Sequence, residues 1–150
     1  MNRLLILAVL VWIGFAAPVA AEELLMARIT RPFPEAMNNL QETIRAKGYV
    51  VSRVQRVDVG LTASGYKTAE YRIVFFGKLS EIRELSASYP EIIPYLPLTI
   101  VVFAEGDDTV ILTTDPLKLG EFFNKPLLLE RFAVWEKDVR AIFDEVASHP

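Results

Sequence analysis

The chain of 150 residues contains no cysteine and one histidine, His149, which is the penultimate residue. Without thiols it can form neither disulfides nor cysteine-ligated metal sites. Without an internal histidine it lacks the usual general base of Ser–His–Asp and Cys–His catalysis and the usual imidazole ligand of haem iron. We interpret His149 as a solvent-exposed tail residue. These absences exclude the commonest routes to a metal centre or a nucleophilic active site, and we expect no cofactor.

Long hydrophobic runs are also missing. The apolar run from Leu4 to Phe15 carries no charge, and as a helix it would cover about 18 Å of a hydrocarbon core that is about 30 Å thick. Extended through Ala21 it would reach about 27 Å, but Pro18 interrupts it. Arg3 precedes this run and the small residues of 16–21 follow it. A cationic start, an apolar middle and a small-residue end form the three-part layout of a secretory signal.

We therefore predict a signal peptide over residues 1–21, cleaved between Ala21 and Glu22, and a single exported domain over residues 22–150. The expected compartment is the bacterial periplasm or the extracellular medium, and no stable membrane anchor remains after cleavage. An uncleaved anchor and a buried core helix are the alternative interpretations of the same segment.

Positive charge is in the minority, with 16 basic residues scattered among 19 acidic ones. A protein that binds phosphate backbones needs a concentrated positive face. We therefore predict no nucleic-acid partner. The hydrophobic fraction of 52% is sufficient for one packed core, so an exported domain without disulfides must be stabilised by packing alone.

The periodicity of apolar residues predicts one sheet with helices packed against it. Strands are predicted over residues 24–30, 49–61, 70–76, 98–104 and 109–113, with a loop over 60–67. Helices are predicted from Phe33 to the stop signal Lys47-Gly48, over 80–89 and over about 126–147, and Asp115-Pro116 starts a further helix. In the helix 80–89 we expect Glu81 to face outward. The last helix carries the clearest stripe, which consists of Leu128, Phe132, Trp135, Val139, Ile142 and Val146. This order of elements is typical of an α+β domain.

Four features then resemble a known family. They are the aromatic strand Tyr71–Gly77, the dipeptide Leu96-Pro97 before the next strand, the helix start at Asp115-Pro116, and the helix end at Lys47-Gly48-Tyr49. In this order and spacing they resemble the domain-of-unknown-function 302 family over residues 33–146. The resemblance implies a single curved, mainly antiparallel sheet with helices on one face, similar to one repeat of the TATA-binding protein. It also implies a homodimer, but it implies no reaction and no catalytic residue.

Aromatic side chains are concentrated around the strand 70–76 and its flanking loops. Aromatic faces with a few polar tips are typical of small-molecule sites. We therefore predict a cleft that binds a small apolar or aromatic ligand and is lined by Tyr66, Lys67, Tyr71, Phe75 and Tyr95. Core aromatics are the alternative interpretation.

Two other segments resemble binding motifs but lack features that those motifs require. The segment from Gly60 to Lys67 is close to a phosphate-binding loop, but Tyr66 separates its second glycine from the lysine and a strand follows. The acidic residues of the segment 105–108 could bind a divalent cation, but they lack the spacing and the closing glutamate of a calcium loop. We interpret the first as a surface loop and the second as the tip of a hairpin.

The sequence thus predicts an exported, non-enzymatic domain that forms a homodimer and binds a small apolar or aromatic ligand or an envelope protein. Two alternatives remain open. One is an envelope enzyme that uses Asp, Glu and Tyr side chains, with Lys67 as a further candidate. The other is a structural partner subunit that has no ligand.

Overall fold

Five antiparallel strands form one open sheet in the computed structural model, which describes residues 24–148. The strands are β1 (Leu24–Ile29), β2 (Val50–Arg56), β3 (Tyr71–Gly77), β4 (Leu98–Glu105) and β5 (Asp108–Thr114). Their order in the sheet is β1-β5-β4-β3-β2, and each neighbouring pair is antiparallel. The predicted signal peptide, its cleavage site at Ala21 and Glu22, and His149 lie outside the described residues.

Helices occupy the connections between the strands. They are α1 (Phe33–Ala46), α2 (Val57–Ala63), α3 (Leu79–Ser88), a short 3₁₀ helix (Pro90–Tyr95), α4 (Pro116–Phe123) and α5 (Pro126–Ser148). The predicted α+β class with a single antiparallel sheet is confirmed. Over residues 24–148, no helix combines the length and the apolar character needed to cross a membrane.

Helix α1 connects the two outermost strands and therefore crosses one face of the sheet. β1 and β2 are separated by four inter-strand spacings, or about 19 Å. The 14 residues of α1 span about 21 Å, so the helix is long enough for this crossing. Its apolar side is buried, and that side comprises Phe33, Ala36, Met37, Leu40 and Ile44.

Helix α5 completes the layer that covers this face. The six residues of its predicted stripe are all at most 2% exposed, which confirms the stripe. They share one core cluster with alternate residues of the strands, namely Val74, Phe76, Ile100, Val102 and Ile111. Because successive side chains of a strand point to opposite faces, this cluster defines the covered face of the sheet.

The local signals at helix ends are confirmed as well. Gly48 follows α1 with a φ of 81°, a left-handed conformation that glycine adopts without steric cost. At the start of α4, Oδ1 of Asp115 accepts a hydrogen bond from the backbone N–H of Leu117 at 2.8 Å. Asp115 is therefore an N-cap residue, as its position before Pro116 predicts.

The second predicted strand is wrong in its last third. The strand ends at Arg56, and the chain then forms α2, so the predicted loop is also helical up to Ala63. Asp58 lies in the first turn of this helix and forms an ion pair with Arg72 of β3, with side chains that are 15% and 11% exposed. This long-range contact favours the helix over the strand that the alternation of Val57, Val59 and Leu61 predicts.

The predicted outward position of Glu81 is also wrong. Its carboxylate accepts a hydrogen bond from Nε1 of Trp135 at 2.9 Å and another from Nη1 of Arg131 at 3.0 Å. The indole of Trp135 is 2% exposed, and a buried indole N–H needs an acceptor. Glu81 supplies that acceptor, so it faces α5 instead of solvent.

Candidate functional site

The face of the sheet opposite α1 and α5 carries a second set of apolar side chains, and we call it the open face. Tyr71 pairs with Phe103, Ile73 with Val101, and Val101 with Leu112. Residues that are directly opposite each other in an antiparallel pair lie on the same face. All five alternate along their strands with the fully buried core residues, and all five are only partly buried. The sheet is therefore apolar on both faces.

A pocket lies over one end of the open face. It has a volume of about 460 Å³ and is lined by Tyr71, Val101, Phe103 and Leu112 of the sheet, by Ala104, and by the segment 68–70. We call it the Tyr71 pocket. The backbone N–H of Ala104 donates a hydrogen bond to the carbonyl of Glu70 at 2.9 Å. This bond fixes the segment 68–70 along β4, where the segment forms the rim of the pocket.

The chemistry of the Tyr71 pocket is apolar at its floor and polar at its rim. The side chains from β4 and β5 are hydrocarbon, and Phe103 lies directly across from Tyr71. The polar side chains that line it are those of Thr68, Glu70 and Tyr71. Apolar walls with a few hydrogen-bonding groups at one side are characteristic of sites for small organic molecules.

A second pocket, which we call the Tyr95 pocket, lies at the other end of β3. Its volume is also about 460 Å³, and its lining includes Phe75, Tyr95, Pro97 and Thr99. The peptide bond between Leu96 and Pro97 is cis. The ring of Tyr95 makes an edge contact with Phe123 of α4, with ring centroids 5.4 Å apart, so this pocket is bounded by a loop and a helix as well as by the sheet.

The structure distributes the predicted ligand-binding residues over two places. Tyr71 lines the first pocket, whereas Phe75 and Tyr95 line the second. Tyr71 and Phe75 share the open face, but four residues of strand separate them by about 13 Å. Tyr66 is 66% exposed, Lys67 is exposed, and neither lines either pocket. Ligand binding by these residues stays a prediction.

The floor of the Tyr71 pocket was not predicted from the sequence. Its residues Val101, Phe103 and Leu112 come from β4 and β5, which the sequence predicts only as a hairpin. A usable signal is present in β4, where Val101 and Phe103 alternate with Ile100 and Val102. An interior strand that is apolar on both faces needs a second covering layer, and the predicted helices supply only one.

The clearest cluster of titratable groups lies away from both pockets. The buried hydroxyl of Tyr49 donates a hydrogen bond to Oδ2 of Asp138 at 2.7 Å, and Nζ of Lys78 lies 3.5 Å from the same oxygen. Burial, followed by the hydrogen bond to Asp138, raises the pKa of Tyr49 well above its ordinary value of 10.0. This cluster connects the start of β2 to α5, and its three side chains are paired with one another.

The other groups with a shifted pKa are likewise paired. The hydrogen bond from Arg72 lowers the pKa of Asp58, and the hydrogen bond from Lys125 lowers the pKa of Glu91. Glu105 and Asp108, at the predicted hairpin tip, form ion pairs with Arg28 of β1. Over residues 24–148, no three His, Cys, Asp or Glu side chains are grouped in a way that could hold a metal ion.

Comparison with known proteins places the fold in a family. The model of the family described as "Domain of unknown function DUF302" matches residues 26–146, and the chain belongs to this family. The match includes most of β1, which the resemblance over residues 33–146 leaves out. No curated protein matches the chain.

A solved structure supports the fold directly. The chain is similar to the crystal structure of an uncharacterized conserved protein DUF302 from Bacillus stearothermophilus, with a TM-score of 0.77 and 23% sequence identity. The similarity covers 84% of this chain and 99% of that chain. At this level of identity the similarity shows a shared fold.

Proposed function

We propose that the protein is an exported, non-enzymatic binding domain that holds a small apolar or aromatic ligand in the Tyr71 pocket and acts as a homodimer. The observation that carries this proposal is the open face, where the paired rows of Tyr71, Phe103, Val101 and Leu112 have no covering helix among the described residues. A contiguous apolar patch that a folded domain leaves exposed marks a ligand-binding groove or an interaction surface.

The shape and chemistry of the pocket define the class of ligand. Its volume of about 460 Å³ lies within the range of small-molecule sites, which is roughly 300–1,000 Å³. Two aromatic rings, from Tyr71 and Phe103, lie opposite each other on neighbouring strands. A flat aromatic or polyunsaturated molecule would cover both rings and the hydrocarbon floor. One polar group of that molecule would be placed at the rim, near Thr68 and the Tyr71 hydroxyl.

Binding is favoured over catalysis because acid–base chemistry does not converge at the pocket. Catalytic acid–base pairs are typically marked by groups with shifted pKa values in one cleft. Tyr49, Asp58 and Glu91, whose pKa values are shifted, are paired elsewhere in the fold. Glu70 is the acidic side chain that lines the Tyr71 pocket. An envelope enzyme built on carboxylates would therefore require a second acid that the lining of this pocket does not provide.

Export is proposed from the pattern of residues 1–21, namely Arg3, the apolar run and the small residues before Ala21. The compartment that follows from it is the periplasm or the extracellular medium. An aqueous compartment beyond the inner membrane is also one in which a poorly soluble apolar molecule needs a carrier, so the leader and the pocket favour the same class of function.

Native mass spectrometry of the protein recovered from its own envelope fraction tests the proposed export and the proposed ligand. We expect a chain that begins at Glu22 and carries a retained small organic molecule. The variant Val101→Arg, which places a charge on the pocket floor, should lose that molecule, and the matched variant Val59→Arg on α2 should keep it. A chain that begins at Met1 and is confined to the cytoplasm would contradict export. A retained protein subunit in place of a small molecule would contradict the proposed ligand.

A further inference from the structure

The two edges of the sheet are built differently. At one edge, β2 has an irregular register between Val51 and Arg53 and carries two arginines, Arg53 and Arg56. Bulges and charges are the devices that prevent an edge strand from pairing with another chain. At the other edge, β1 pairs with β5 in regular register along its whole length. Its first four residues are uncharged, and its one charged residue, Arg28, is held in ion pairs with Glu105 and Asp108 of the same chain. Among the described residues, β1 is the unprotected edge.

A groove follows this edge between β1 and α5. It has a volume of about 410 Å³, with residues 24–27 on one side and Arg140, Phe143 and Asp144 of α5 on the other. Since four successive residues of β1 line it, residues from both faces of the sheet contribute, so the groove lies at the edge itself. Leu24 and Met26 are 57% and 71% exposed. A groove between an edge strand and a helix accepts an extended segment as an added strand.

A two-fold rotation would bring opposite charges beside the groove together, because the groove carries one basic and one acidic residue of α5. Arg140 and Asp144 have opposite charges and lie four residues apart on the same side of α5. In a two-fold pair of this chain the two α5 helices run antiparallel, and Arg140 of each copy lies opposite Asp144 of the other when the axis passes level with residue 142. Arg140 is already oriented by contacts with Asp115, at 3.4 Å, and with Glu136. A second copy of the chain therefore fits this groove by symmetry.

We propose that two copies of the chain associate through β1, antiparallel and about a two-fold axis perpendicular to the sheet, so that two five-stranded sheets become one continuous sheet. This symmetry places each residue opposite one from the same face. In the register that matches the groove, Met26 lies opposite Met26 of the second copy, Leu24 opposite Arg28, and Leu25 opposite Ala27. The two open faces then form one surface with a Tyr71 pocket on each half.

This inference rests on the proposed function in one respect, since it specifies how the proposed homodimer forms. It does not depend on the proposed ligand, because the edge groove and the Tyr71 pocket have separate linings. The two can therefore fail independently. A monomeric variant that still binds a probe in the Tyr71 pocket would separate them.

Single-cysteine cross-linking tests the register. The chain has no cysteine, so Met26→Cys introduces one thiol per copy at a known position. Opposed residues of antiparallel strands have Cα atoms about 4.5–5.5 Å apart, within the range of about 4.4–6.8 Å that a disulfide needs. Mild oxidation of the mature protein should convert most of Met26→Cys to a covalent dimer. Leu79→Cys on α3, where the native side chain is 65% exposed, should remain largely uncoupled.

Sedimentation velocity tests the interface in the absence of a cross-link. The mature protein should be a dimer in the micromolar range, and Met26→Lys, which opposes two like charges, should weaken the dimer by about 100-fold. Asp144→Lys should weaken it in the same direction, and Leu79→Lys should leave it unchanged. Urea unfolding of each variant confirms that the monomer is folded. A monomeric native protein, or a Met26→Lys variant that remains as dimeric as the native chain, would overturn the proposal. Retained probe binding by monomeric Met26→Lys would leave the Tyr71 pocket standing.

Discussion

The hydroxyl of Tyr49 donates a hydrogen bond to Oδ2 of Asp138 at 2.7 Å and so connects the start of β2 to the middle of α5. Nζ of Lys78 lies 3.5 Å from the same carboxylate and 4.5 Å from the centre of the Tyr49 ring. The ring also makes an edge contact with Phe76, with centroids 5.5 Å apart. Three elements that are distant in sequence therefore meet at one phenol.

Removing this hydroxyl should weaken the fold. Tyr49→Phe deletes the donor but leaves the ring contacts and the Lys78–Asp138 pair in place, so we expect the free energy of unfolding to fall by about 1–2 kcal/mol. Urea unfolding monitored by circular dichroism at neutral pH measures this change. Tyr66→Phe removes an exposed hydroxyl and should have no effect, and an equal loss in both variants would show that the buried contact is not the cause.

The same contact predicts how stability depends on alkaline pH. Burial and the hydrogen bond raise the pKa of Tyr49 above its ordinary value of 10.0, so the unfolded chain releases this proton at a lower pH than the folded chain. The stabilisation is therefore complete below about pH 10 and is lost progressively above it. The native protein should lose part of its advantage over Tyr49→Phe as the pH rises from about 8 to about 11. A constant difference between the two across this range would contradict the assignment.

The Asp58–Arg72 ion pair should stabilise the position of α2. Asp58→Asn leaves the largely buried guanidinium of Arg72 without its counter-charge, and we expect a loss of about 2 kcal/mol in the free energy of unfolding. Asp107→Asn at the exposed hairpin tip is the matched control and should be neutral.

Acid titration gives a second test of this pair. The hydrogen bond from Arg72 lowers the pKa of Asp58 below its ordinary value of 3.8. The resulting stabilisation is present above that value and is lost as the pH falls below it, since the unfolded chain binds the proton first. The destabilisation caused by Asp58→Asn should therefore diminish in unfolding measurements below about pH 4. If it does not, the ion pair is not the source of the effect.

Two glycines in helices should respond oppositely to the same substitution. A Cβ at Gly120 would lie 2.9 Å from Cβ of Phe132 and 3.3 Å from Cα of Leu129, where α4 approaches α5. Gly120→Ala should therefore destabilise the fold by about 1–3 kcal/mol. A Cβ at Gly60 of α2 would meet nothing within 4 Å, and Gly60→Ala should be neutral or stabilising by up to about 1 kcal/mol. Thermal unfolding of both variants measures the difference, and similar values would contradict the close approach of the two helices.

Elements that are determined by residues close together in the sequence were predictable. The stripe of α5 repeats at helical spacing over its whole length, and all its members are buried because they face one core. Asp115 and Gly48 act within one turn of the helices they bound. In contrast, α2 depends on the pair between Asp58 and Arg72, which are separated along the chain, and the alternation of Val57 and Val59 gives no hint of it.

The candidate site was only partly predictable for a similar reason. That Tyr71 and Phe75 share a face follows from the sequence, because alternate residues of one strand do so. Their distribution over two pockets depends on the pairing of β3 with β4 and of β4 with β5, which brings Val101, Phe103 and Leu112 beside Tyr71. Strand register of this kind depends on contacts across the whole sheet, and the order of residues along one strand does not specify it.

The central claim is that the Tyr71 pocket binds a small apolar or aromatic molecule, and fluorescence titration with N-phenyl-1-naphthylamine tests it most directly. This uncharged aromatic probe should bind the mature protein at one site per chain, and Tyr71→Ala should weaken binding about tenfold, which corresponds to about 1.4 kcal/mol. Phe103→Ala should have a similar effect, whereas Tyr66→Ala should leave the affinity unchanged. Saturable binding that depends on Tyr71 and Phe103 but not on Tyr66 is the predicted result. Absence of saturable binding, or equal affinity in all three variants, would contradict the account.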